Sequence, residues 1–96
     1  MEPRTRHPSR EDIRSTVVAA LLATRADQRD PALVDERTPI GDVGLGISSL
    51  NILQALVRVE DALGIVFDDR AVAEAPLHSV GALVDLVERA LAAKDE

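Results

Sequence analysis

Apolar residues return every three or four positions along several stretches of this chain, and that spacing predicts helices. In the first stretch Ile13, Val17, Ala20 and Leu21, with Thr24 at the end, share one face, and Val18 and Leu22 widen it. A helix from about Arg10 to Thr24 follows, with Ser9 and Asp12 as its capping pair. The second stretch predicts a helix from about Ser49 to Leu63, ended by Gly64. Its inward side is read as Leu53, Leu56, Val59, Ala62 and Leu63. Leu50, Asn51, Gln54, Arg58 and Asp61 lie nearer the outside. Ile65 and Phe67 make an extended, partly buried exit. Asp68 caps a short helix, about Asp69 to Glu74, and Pro76 ends it. Ser79 caps the last helix, about Val80 to Ala93, whose stripe is Val80, Leu83, Val84, Val87 and Leu91. No stretch alternates as a strand does, and no segment repeats. The expected fold class is all-α, a small bundle of three main helices plus one short helix.

Between the first two helices, residues 25–48 form a long connection. Asp30-Pro31, Thr38-Pro39 and Gly41-Asp42 signal turns. Leu33, Val34, Ile40, Val43 and Leu45 are placed to pin this loop to the bundle. Length allows one domain. The expected organisation is a disordered tail over 1–8, the domain over 9–93 and a short C-terminal tail over 94–96.

Composition narrows the picture. Phe67 is the one aromatic residue, so the core rests on Leu, Val, Ile and Ala. There is no cysteine, hence no disulfide, thiol nucleophile or thiolate metal site. His7 and His78 are too far apart in sequence to read as a metal pair. A net charge of −6 argues against nucleic acid, which needs a basic patch, and suits basic protein partners. No apolar run approaches the ~18 residues of a membrane span. Arg4 and Arg6 are followed by no apolar stretch, so they do not open a secretory signal. A cytoplasmic monomer is expected.

Chemistry concentrates at Gly44-Leu45-Gly46-Ile47-Ser48-Ser49-Leu50-Asn51, where the loop ends and the second helix begins. The glycines allow a sharp turn, and either serine hydroxyl is placed to cap the helix. A serine held there sits at the positive end of the helix dipole, where free amides favour an anion such as a phosphate ester. In the plain reading such a serine is a cap and nothing more. A nucleophilic serine needs an adjacent base, and neither His7 nor His78 is near in sequence. The G-x-S-x-G elbow is absent, and no strand precedes the glycines as a dinucleotide fingerprint requires. The chain does not read as an enzyme.

The run Leu45-Gly46-Ile47-Ser48-Ser49-Leu50 resembles the modification site of the carrier-protein family, the acyl, aryl and peptidyl carriers. There a loop ends in Leu-Gly, a variable residue follows, and Asp-Ser-Leu opens the second helix. The helix from Ile52 to Leu63 and its exit through Gly64 and Ile65 resemble the family's too, and the likeness extends over about residues 9–91. It implies covalent 4′-phosphopantetheine on Ser49, the serine that Leu50 follows. Ser48 stands where the family has Asp. One extra residue also separates Ile40 from Leu45 relative to the family's usual spacing. The family docks its partners on acidic residues of the second helix. Glu60 and Asp61 occupy matching positions, whereas Asn51 and Gln54 are neutral and Arg58 is positive. With Ser48 and Leu50 these residues form the implied docking face.

The implied function is that of a discrete acyl carrier protein, in polyketide, fatty-acid-like or other specialised biosynthesis. Its implied partners are a phosphopantetheinyl transferase, acyl-loading enzymes, ketosynthases and acyltransferases. A peptidyl or aminoacyl carrier is an alternative, although the Gly-Gly-His-Ser-Leu run of typical peptidyl carriers is missing. The rival of another class is a helical adaptor without a cofactor.

Overall fold

Ser9 opens the first helix. Its hydroxyl accepts a hydrogen bond from the Asp12 amide at 3.1 Å, satisfying one of the amides that a helix start leaves bare. The computed structural model of the protein describes residues 8–24, 30–41 and 44–94. Most of the expected N-terminal tail, the last two residues and Val43 lie outside them. Helix α1 spans Arg10–Ala23, α2 Ser49–Leu63, α3 Asp69–Glu74 and α4 Val80–Lys94, with a 3-10 turn at Pro31–Leu33. This is the expected bundle of three main helices and one short one. α4 runs one residue into the expected C-terminal tail. Pro8, expected in the N-terminal tail, is half-buried beside Ile13, Glu88 and Leu91. Among the described residues no strand forms, Pro39 and Ser79 make an isolated antiparallel bridge, and no helix is long and apolar enough to cross a membrane.

α1 is the hub, packed against both α2 and α4. Its Ile13, Val17, Val18, Ala20 and Leu21 are buried, and so are Val80, Leu83, Val84, Leu86, Val87 and Leu91 of α4. Each fully buried Val, Leu or Ile side chain among them contributes about 1.5–3 kcal/mol. Only Leu86 lies off the stripe read from the sequence.

The inward face of α2 differs from its expected one. Ala55, Leu56 and Val59 are buried, and Ile52 and Leu63 pack partly against them. Leu53 is 50% exposed, and Ala62 is exposed. α2 is apolar around much of its circumference, so its pattern is compatible with more than one rotation about its axis. Packing against α1 selects the Ala55 side and leaves Leu53 facing α3.

The long loop is pinned as expected by Val34, Ile40 and Leu45, and also by Ile47, all buried. Leu33 is not a pin, being 77% exposed. The Asp30 carboxylate accepts from the Ala32 amide at 2.9 Å, and the capped turn that follows sends Val34 inward in place of Leu33. Backbone hydrogen bonds strap the loop to the start of α4. The Gly81 amide reaches the Glu36 carbonyl at 2.9 Å, Val80 reaches Thr38 at 3.1 Å, and Ile40 reaches His78 at 3.0 Å. α1 grips the same loop with two arginines. Arg10 donates to Glu36 at 2.7 and 2.9 Å, to Asp85 at 3.0 Å and to Glu88 at 2.6 Å. Arg14 pairs with Glu11 and donates to the Val34 carbonyl at 3.2 Å. The Arg10 hydrogen bond holds the Glu36 carboxyl below the usual carboxylate range.

Candidate functional site

The approach to α2 leaves two glycines no substitute. A Cβ on Gly44 would stand 1.9 Å from the Pro39 carbonyl oxygen, and Gly46 sits at φ +68°. The turn closes with Leu45 donating to Pro39 at 2.9 Å, Gly46 to Gly41 at 2.8 Å and Ile47 to Ile40 at 2.8 Å. Ile47 then drops into the core and fixes the residue that follows it.

That residue is Ser48, and it is the cap. Its backbone is extended, and its hydroxyl accepts from the Asn51 amide at 3.2 Å. Ser49 is therefore the first residue of α2 proper. It is exposed, and its hydroxyl has no hydrogen-bond partner among the described residues. Among those residues the Ser49 and Leu50 amides are likewise without a partner. The two serines thus divide the work: Ser48 satisfies the helix, and Ser49 presents an exposed hydroxyl, without a partner among the described residues, at the positive helix end. A phosphate ester on Ser49 fits this place, with unpaired amides and the dipole both favouring it.

The residues expected on the docking face divide as well. Ser48, Leu50, Gln54 and Asp61 are exposed, as is Arg58. Asn51 is half-buried, and its side-chain amide donates to the Thr24 carbonyl at 3.3 Å, tying the start of α2 to the end of α1. Glu60 is half-buried too. Its carboxylate accepts from the Phe67 amide at 2.8 Å, and its carbonyl accepts from Gly64 and Ile65. Gly64 at φ +66° makes this reversal possible. Asn51 and Glu60 therefore hold the fold together at either end of α2.

One feature was not read from the sequence. Leu53, Leu56 and Val57 of α2 face Phe67 of the exit and Val72 and Ala73 of α3 across an apolar groove of about 440 Å³. Glu60 and Asp69 also line it. Ser49, Leu53, Leu56 and Glu60 stand at spacings of four, three and four, so they follow one line along the helix. The line runs about 16 Å from first to last at 1.5 Å per residue. The available signal was a second apolar row, Leu50, Leu53 and Val57, beside the inward stripe. The Arg10 cluster was also missed, because its acids come from residues 26 to 78 positions away. Among the described residues no group of three or more His, Cys, Asp or Glu is placed to hold a metal ion.

No protein-family model, curated protein or solved structure matches this chain.

Proposed function

We propose that this chain is a carrier protein, modified at Ser49 with 4′-phosphopantetheine. The observation that carries the reading is the division between the serines. Ser48 takes the capping role, so Ser49 does not serve as the cap and stands exposed at the end of a fixed turn. The likeness of the Leu45–Leu50 run to the carrier modification site points to the same residue. When bound, the group supplies a thiol that holds cargo as a thioester. The chain's own residues do the rest. The Ser49 and Leu50 amides would be the groups that hold the phosphate, while Gly44 and Gly46 shape the turn, and Ile47 with the loop strap keeps it in place. Exposed Leu50, Gln54 and Asp61 offer partner enzymes a surface beside the serine. That surface carries less charge than the family's, which favours polyketide or other specialised biosynthesis over housekeeping fatty-acid synthesis.

The adaptor reading draws on one observation, the exposed apolar row of Leu50, Leu53 and Val57. Intact mass separates the two. Co-expression with a broad-specificity phosphopantetheinyl transferase is expected to add one phosphopantetheine to the native chain and to Ser48→Ala, and none to Ser49→Ala. No gain on the native chain, under conditions that modify a control carrier, favours the adaptor. Gain on Ser49→Ala but not on Ser48→Ala moves the site by one residue.

A further inference from the structure

We infer that Asn51 is a positioning residue for the modification of Ser49: its side chain ties the first turn of α2 to the end of α1, and the tie demands a hydrogen-bond donor where an acid would break it. This rests on the carrier reading of Ser49. Thr24 closes α1, and its carbonyl is one of those that a helix end leaves without an intrahelical partner. The Asn51 side-chain amide donates to that carbonyl at 3.3 Å, and among the described residues no other group does. α1 has no basic residue in its last turn to serve instead.

Asn51 is held at two points. Its backbone amide donates to the Ser48 hydroxyl at 3.2 Å, and its side chain reaches Thr24, 27 positions back. Ser49 and Leu50 lie between the cap and this anchor. The exposed hydroxyl, and the two amides without a partner among the described residues, are thus fixed relative to α1 as well as to the glycine turn. A carboxylate has no hydrogen to offer a carbonyl. An acid at this position would set one acceptor against another, beside the negative end of α1. The neutral residue, at a place where the family resemblance implies docking by charge, follows from this contact.

The test compares the native chain with Asn51→Ala and Asn51→Asp, first in urea unfolding at high salt, which screens neighbouring charges. Asn51→Ala should lower the folding constant roughly fivefold at every pH, the usual effect of losing one hydrogen bond. Asn51→Asp should lower it further at neutral pH and recover in acid, because only the protonated carboxyl can donate to Thr24. The contact raises that carboxyl's folded value, so the loss is complete above the raised value and gone below the ordinary aspartate value of ~3.9. Loading by a phosphopantetheinyl transferase is then followed by mass, where circular dichroism shows each variant folded. Both variants should lower kcat severalfold and leave KM unchanged, since the serine is displaced while the docking face is kept. An Asn51→Asp deficit that does not change with pH overturns the inference. So does a rise in KM with kcat intact, or a loss of stability with both constants intact. Faster loading of Asn51→Asp than of the native chain by a charge-dependent transferase overturns it as well. A native chain that gains no mass overturns the carrier reading itself, and leaves the tie to Thr24 to be decided by the unfolding data.

Discussion

Ser48 and Ser49 look interchangeable in the sequence, yet one backbone step separates a cap from a free hydroxyl. Ile47 makes the difference, because its burial sets the turn that makes Ser48 extended and Ser49 helical. The sequence located the junction and named both serines, but the assignment of the cap needed the position of Ile47. Ser48→Ala should lower stability by about 1 kcal/mol in urea unfolding, the usual loss for a missing cap. Ser48→Asp should keep the cap and add a further ~0.3–1 kcal/mol, because the charge lies against the helix dipole. On the carrier reading, the same substitution supplies the acidic residue that the carrier motif has at this place. It should therefore speed loading by a transferase that depends on charge more than loading by a broad-specificity one, with salt narrowing the gap.

At the scale of the element, α2 is the instructive case. Its ends were legible, since Gly64 and the serines are unambiguous signals, and its rotation was not. Apolar residues at positions 50, 52, 53, 55, 56, 57 and 59 leave no single narrow stripe. The choice of buried face falls to α1, with Ala55 admitting close approach where a larger side chain would not. The faces of α1 and α4 were read almost completely, because most of the apolar residues off their inward stripes are alanines. Leu56 is nearly fully buried and also borders the groove, whereas Leu53 is half-exposed. Leu56→Ala should cost about 2–5 kcal/mol, and Leu53→Ala less than about half as much. Equal losses in denaturant titrations would show that α2 is turned differently about its axis.

Across the whole molecule, Arg10 joins α1 to the loop through Glu36 and to α4 through Asp85 and Glu88. Such a contact is invisible to local spacing, since nothing near Arg10 in sequence announces its partners. The Glu36 carboxyl is held below its ordinary value first by the Arg10 hydrogen bond. Its folded form is therefore the ionised one. The stability it contributes is fully present above the ordinary glutamate value of ~4.3 and is lost as pH falls through the depressed folded value. Glu36→Gln should lower stability at neutral pH by on the order of 1 kcal/mol, as expected for a partly exposed network. It should also flatten the acid limb of a stability–pH curve. An unchanged acid limb would move the acid sensitivity to other carboxylates.

The strap between residues 36–40 and 78–81 also has a meaning in time. A chain emerging from the ribosome carries Ser49 into the open before the start of α4 has emerged. Until then Glu36, Thr38 and Ile40 lack their distant backbone partners, and the turn at Gly44 and Gly46 has nothing to rest against. Folding that waits on pairs so far apart is slower than local helix formation. On the carrier reading proposed above, a modifying enzyme should therefore meet a folded substrate only after the start of α4 has emerged. A chain stopped at Leu77 should form much of α1 and yet go unloaded. In this protein the fixed placing of one serine depends on residues about thirty positions further along the chain.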